Sequence, residues 1–360
     1  MAGCGRKEIV PFAAMAAVEL AAVGVNTFYK AATLEGLSYF VFVAYSYVLG
    51  TLVLLPLPFI FPRRELRSFE LSFFLKIVLL GLIGFTCSIC GCKGIEYSSP
   101  TLASAVSNIT PAFTFILAII FRMENLDLRS SVTRIKIIGT LFSLSGALVA
   151  VIYKGPIIFS SSSSFPPQSL SLGLQYSSET SKRNRVLGGL LIASQCLLSS
   201  IWYILQTQVM KTYPDTKIVV PVYFLCASTI AVPVCLIAEP KLSAWTLKPK
   251  ISLITVVLSG FFGSSFCTLL LTWGLHLKGP LYISIFRPFS IAIAAFVGVI
   301  FLGDDLFLGS VVGAIILLLG FYAVIWGKAQ EEDVKDCASS ISHGKIPLLQ
   351  SHRVEDMENK

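Results

Sequence analysis

Ionisable side chains inside apolar stretches are where this chain would do chemistry. Glu19 lies within a long apolar run, and Asn26 and Lys30 follow at i+7 and i+11, so the three share one helical stripe. At membrane depth such a charge costs roughly 2.5–3.5 kcal/mol to insert, which calls for a partner or a task. A carboxylate at Glu19 can face a cavity and hold a proton or a ligand ammonium, or it can be satisfied by a neighbouring helix. Arg287, with Ser284 one turn before it and Pro288 after it, can grip a carboxylate through two parallel N–H bonds. It can equally pair with Glu19 or snorkel to the interface. Ser104, Ser107, Asn108 and Pro111 fall at i, i+3, i+4 and i+7, and the proline frees a backbone carbonyl one turn earlier. Gln195, Ser199, Trp202 and Gln206 make a fourth set, at i, i+4, i+7 and i+11. Its amides and indole can orient a zwitterion, or serve as polar glue between helices. The candidate substrate-binding residues are therefore Glu19, Asn26, Ser104, Asn108, Gln195, Ser199, Trp202, Ser284 and Arg287.

Bond-making chemistry finds little support. The three histidines, His276, His343 and His352, fall in loops or in the C-terminal tail, so no nucleophile–base pair or metal cluster is expected at one depth. His276 can titrate near neutral pH, although a lone interfacial histidine is more simply a solvated loop residue. The nine cysteines are scattered, mostly within apolar runs, and do not read as a disulfide framework. Cys87, Cys90 and Cys92 are close together but lack a second Cys/His pair, so packing explains them better than ligation. No catalytic residue, cofactor or metal is expected.

The elements that must position these groups are helices in a bilayer. The chain of 360 residues is 55% hydrophobic and 13% charged, with mean hydropathy +0.78, more apolar surface than a soluble fold can hide. Charges, Pro/Gly clusters and turn signals break it into apolar runs, each near the 20 or so residues that span a hydrocarbon core. Helices are expected at 9–29, 37–61, 72–92, 100–121 and 133–153, then at 186–206, 218–238, 251–271, 280–302 and 307–327. The first run follows Arg6-Lys7 but outlasts a signal peptide and lacks an Ala-x-Ala-like exit, so it is read as a retained helix.

The net charge of +8 sits in short loops, where it orients the chain rather than binding nucleic acid. In the first half Arg6, Lys7, Arg63, Arg64, Arg67, Arg122, Arg129, Arg134 and Lys136 fall on one side, against Lys30 and Lys93. That side is expected to be cytosolic, with both termini. The second half shows no such bias.

Residues 154–185 are Ser-rich and hydrophilic, a linker between two five-helix blocks, 1–153 and 186–327; residues 328–360 read as a disordered cytosolic tail. The blocks resemble one another. Laying Gly94 on Gly274 brings Pro100 onto Pro280 and Ser104 onto Ser284, and Glu124-x-Leu126-x-Leu128 meets Asp304-x-Leu306-x-Leu308. Gly139 and Gly146 have partners in Gly313 and Gly320. Because five is odd, the second block enters from the opposite side. The expected fold is thus an all-α integral membrane protein of ten transmembrane helices in two inverted five-helix repeats, with a site near the midplane.

Particular passages resemble a known family. They are Tyr97-Ser98-Ser99-Pro100-Thr101-Leu102-Ala103-Ser104-Ala105, then Asn108-Ile109-Thr110-Pro111-Ala112-Phe113-Thr114-Phe115, and Phe121-Arg122-Met123-Glu124. They are similar to the plant drug/metabolite transporters with paired EamA domains, the nodulin-like, walls-are-thin-related group also called UMAMIT. Departures are Phe286-Arg287-Pro288-Phe289, where many relatives carry Asn before the proline, Gly303-Asp304-Asp305-Leu306, where Gly-Glu is commoner, and Tyr45-Ser46 in place of a Tyr-Arg. The resemblance covers nearly the whole chain. It implies ten helices, cytosolic termini and facilitated or proton-linked movement of amino acids, with auxin-like molecules handled by some relatives; it carries over no established binding residue.

The expected function is a transmembrane carrier of small organic metabolites, foremost amino acids, by alternating access, with auxin-type and nucleotide-sugar carriers as alternatives. A membrane receptor or scaffold is the rival of another class, but it should show a folded extramembrane domain, and the one sizeable loop is low in complexity. Expected partners are a small-molecule solute and the bilayer, with no nucleic acid and with a homodimer left open. The plasma membrane is the expected location, with vacuolar or other endomembranes as alternatives.

Overall fold

The computed structural model describes residues 2–60, 71–97, 109–123, 131–153, 156–159, 179–247, 250–287 and most of 306–327, with isolated positions 106, 290, 293 and 330. The first block contributes α1 (Ala2–Leu34), α2 (Tyr39–Ile60, with a turn at Leu55-Pro56), α3 (Leu71–Tyr97), α4 (Thr110–Ile120) and α5 (Ser131–Ile152). The second contributes α6 (Glu179–Thr212), α7 (Thr216–Ala238), α8 (Lys250–Lys278), α9 (Pro280–Ile285) and the apolar helix α10 (Val311–Gly327). Six of these, α1, α2, α3, α6, α7 and α8, are long and apolar enough to cross a membrane. Their outer faces carry large apolar side chains that a soluble protein would bury, among them Leu75, Val78, Leu79 and Leu82 along α3. The chain is a multi-pass membrane protein, and its described residues are helical save for connecting turns and one two-stranded ladder.

That ladder departs from the expected layout. Ile157–Phe159 pairs antiparallel with Leu306–Phe307 (β1 and β2), so Phe307 belongs to a strand rather than to the start of the last helix. Leu308 N–H also donates to Pro156 O at 2.9 Å. Short apolar segments outside the helices thereby satisfy their backbone groups against each other. Likewise α6 begins at Glu179, inside the stretch read as linker.

Helix ends follow local chemistry. Gly36 at φ 94° turns the chain between α1 and α2, and Gly279 at φ 83° ends α8 and hands over to Pro280, which opens α9. Asp215 accepts the Lys217 backbone N–H at 3.1 Å and caps α7. Within α8, the stretch Ser259–Phe266 is π-helical. Pro221 and Pro233 lie inside α7 without ending it.

Packing pairs the two blocks helix by helix. Along α3 and α6, Cys87 meets Ser199, Gly91 meets Gln195 and Gly94 meets Ile192, so the two run antiparallel. Side chains fill the gaps tightly: a Cβ on Gly91 would lie 2.5 Å from Gln195 Nε2, and one on Gly94 would lie 2.6 Å from Ile192. The α2–α7 pair is also antiparallel, with Ser38 bonded to Glu239 at 3.0 Å and Thr51 to Ser228 at 2.6 Å. So is α1–α8, where Phe28 meets Thr255, Val25 meets Gly263 and Met15 meets Gly274. By contrast α2 and α8 run the same way, Ser46 bonding Ser259 at 3.0 Å and Ser265 donating to Gly50 O at 3.4 Å. Elsewhere, Gly139 of α5 and Gly320 of α10 bring their backbones together, the close approach expected of small residues in membranes.

Candidate functional site

A cavity of about 320 Å³ opens between the long helices of both blocks. Of the nine candidate residues, six line it: Glu19, Asn26, Gln195, Ser199, Trp202 and Arg287. Ser284 does not; it is fully buried and its hydroxyl donates to Leu281 O at 2.9 Å within its own helix. Ser104 and Asn108 lie outside the described residues, as does Ser107. Lys30, on the Glu19 stripe, leaves the cavity and donates to Ile95 O at 3.4 Å. Gln206 is buried away from it and donates to Thr272 at 3.0 Å, the polar contact between helices that its type allows. His276 is exposed beside a second, smaller hollow of about 180 Å³.

The two charges meet at one end of the cavity. Glu19 Oε1 stands 4.0 Å from Arg287 Nε, with the Glu19 side chain 4% exposed and that of Arg287 35% exposed. At this separation the groups attract without sharing a hydrogen bond. Glu19 Oε2 is buried with no hydrogen-bond partner among the described residues, an arrangement that is costly unless a ligand or proton completes it. Arg287 lies just past α9 in a turn closed by its own N–H to Ser284 O at 3.1 Å. Its Nε and Nη2 both donate to the Tyr203 hydroxyl, at 3.1 and 3.0 Å.

Tyr203 escaped the sequence reading. It stands one residue from Trp202, off the Gln195–Ser199–Trp202 spacing, and only the approach of α6 to α9 reveals its task. Aromatic rings form much of the remaining wall: Trp202 meets Tyr223 edge-on at 5.8 Å, and Tyr47 meets Phe224 at 5.8 Å. Hydroxyls add directed polarity, with Tyr47 bonded to Ser88 at 3.2 Å and the Ser199 hydroxyl 3.1 Å from the Cys87 thiol. Cys87, Cys92 and Cys267 line the wall as unbridged thiols.

Beyond the charges, toward the α8–α9 turn and the smaller hollow beside it, side chains pack tightly around Phe286. Phe12 packs edge-on against Phe286 at 5.5 Å, Phe286 against Tyr282 at 5.2 Å, and Met15, Leu275, Leu281 and Ile283 are buried to 1% exposure or less. The cavity therefore ends at Glu19, Tyr203 and Arg287. Both faces of a zwitterion can be met there: Arg287 offers N–H groups to a carboxylate, Glu19 an oxygen to an ammonium, and aromatic walls receive an apolar remainder.

Comparison with known proteins agrees with this architecture. The model of the EamA-like transporter family matches residues 11–152 and again 186–326. Two WAT1-related proteins of Arabidopsis thaliana are 57% and 52% identical to the chain, over 97% and 98% of its length and 94% and 96% of theirs. A solved crystal structure superposes with a TM-score of 0.60 at 14% identity, covering 91% of this chain and 99% of that one, a likeness of fold alone. The chain is a membrane transporter that belongs to the EamA-like family, within its plant WAT1-related group.

Proposed function

We propose that the protein carries amino acids across its membrane, as a facilitator or a proton-linked carrier, by alternating access around the cavity between its two blocks. The observation that carries this reading is the pairing of Glu19 with Arg287 at the end of a cavity walled by aromatic rings and hydroxyls. A ligand with adjacent opposite charges satisfies both groups, including the unpartnered Glu19 oxygen.

The helix directions support two inverted five-helix repeats, 1–153 and 186–327, joined by the 154–185 linker and followed by the 328–360 tail. In each of the pairs α1–α8, α2–α7 and α3–α6 the members run oppositely, as inversion of the second block requires. In this reading the spans number ten, both termini are cytosolic, and the packed layer around Phe286 closes the cavity on its cytosolic side. The plasma membrane remains our expected location. Arg287 is the one Lys or Arg among the described lining residues, which suits a single carboxylate better than the diphosphate of a nucleotide sugar.

Purified protein in proteoliposomes should take up labelled amino acids, measured with and without a pH gradient. Arg287→Gln should cut that uptake by at least tenfold, the scale of a lost charge-assisted hydrogen bond. Uptake that is unchanged in Arg287→Gln contradicts the reading.

A further inference from the structure

We propose that Tyr203 is a positioning residue, a wedge that keeps Arg287 from collapsing onto Glu19 and turns its free edge toward the solute. The inference rests on the carrier reading above and assigns a task to a residue that contributes no charge.

The guanidinium has five N–H donors in a rigid planar fork. Its Nε–Nη2 and Nη1–Nη2 edges can each grip a carboxylate with two parallel N–H bonds, and Glu19 Oε1 is only 4.0 Å from Nε. Two long side chains at that distance in a bundle interior would ordinarily close into a direct ion pair, each consuming the other's binding capacity. Here both donors of that edge go to the Tyr203 hydroxyl instead. Tyr203 is able to resist the pull because it is anchored: it is 2% exposed, its ring meets that of Trp202 edge-on at 5.8 Å, and its backbone lies within α6, where Thr207 donates to its carbonyl at 2.7 Å. Arg287, in contrast, stands in a turn with a partly exposed side chain and takes its aim from what it touches. The result is a guanidinium with its Nη1–Nη2 edge uncommitted among the described residues and a carboxylate with Oε2 unpartnered, both at the cavity wall. A carboxylate acceptor would neutralise Arg287; the neutral phenolic hydroxyl holds it and leaves its charge in place for the ligand.

Tyr203→Phe removes the wedge and keeps the ring. Kinetics of labelled amino acid uptake in proteoliposomes should show KM rising about tenfold with the maximal rate within twofold of the parent, because the loss falls on ligand capture. The detergent melting temperature should stay put, and Tyr45→Phe, which removes a hydroxyl bonded to Trp245 O outside the cavity, should leave KM unaltered. An unchanged KM in Tyr203→Phe, a fall confined to the maximal rate, or an equal rise in KM for Tyr45→Phe overturns the proposal. Arg287→Gln run in parallel separates the two levels. If Arg287→Gln is silent, the carrier reading fails and takes this one with it; if Arg287→Gln loses uptake while Tyr203→Phe does not, only the wedge fails.

Discussion

The walls that α3 and α8 give to the cavity stand at matching positions and differ in substance. With Gly94 laid on Gly274, the lining residues Gly84, Cys87, Ser88 and Gly91 of α3 fall on Ser264, Cys267, Thr268 and Leu271 of α8, which also line it. Yet α3 is continuous α-helix and presses its glycines against α6 and α7, whereas α8 passes through a π-helical stretch and packs along α2. The charges are divided just as unevenly, Glu19 coming from α1 and Arg287 from the turn after α9. Corresponding positions of α3 and α8 thus both face the cavity, and their side chains make it lopsided. A lopsided cavity suits a solute with two different ends.

The largest effect that can break this comparison comes from making α3 resemble α8. Gly91→Leu installs the α8 residue where a Cβ already meets the Gln195 amide at 2.5–2.9 Å. It should abolish transport and destabilise the protein by about 1–3 kcal/mol through overpacking, read as a lower melting temperature in detergent. Trimming the matching α8 residue, Leu271→Ala, should leave a folded protein that still transports, because Leu271 is only partly buried at the cavity wall. Equal damage from both would mean that the two walls are interchangeable. A smaller effect sharpens the π-helical side. Ser46→Ala and Ser259→Ala each remove the same 3.0 Å hydrogen bond between α2 and α8. Each should cost about 1 kcal/mol, and the double variant little more than either single one; full additivity would show that the bond does not tie the stretch down.

What the sequence made legible follows the same division. Glu19 and Arg287 stood out because a charge in an apolar run is expensive, and that cost does not depend on knowing the neighbours. The long spans were legible for the same reason, since a run such as that of α3 has no soluble alternative. Tyr203 was not legible, because a tyrosine in a membrane helix carries no such penalty and its hydroxyl acquires a role only where α6 meets α9. Ser284 misled in the opposite sense: its spacing from Arg287 suggested a shared face, but a serine in a helix can satisfy itself on a carbonyl a turn away, and this one does. The π-helical register of Ser259–Phe266 left no mark beyond a cluster of small and aromatic residues, and the β1–β2 ladder depends on two segments far apart in the chain.

The claim that one solute bridges both charges is tested most directly by competition in proteoliposomes. Uptake of a labelled amino acid would be challenged with the same amino acid, with its amide, which lacks the carboxylate, and with its deaminated acid, which lacks the ammonium. The account predicts that the unlabelled amino acid competes fully and that each truncated analogue competes at least tenfold more weakly. A deaminated acid that competes as well as the amino acid would contradict it, leaving Arg287 as an anion site and Glu19 with no part in recognising the solute.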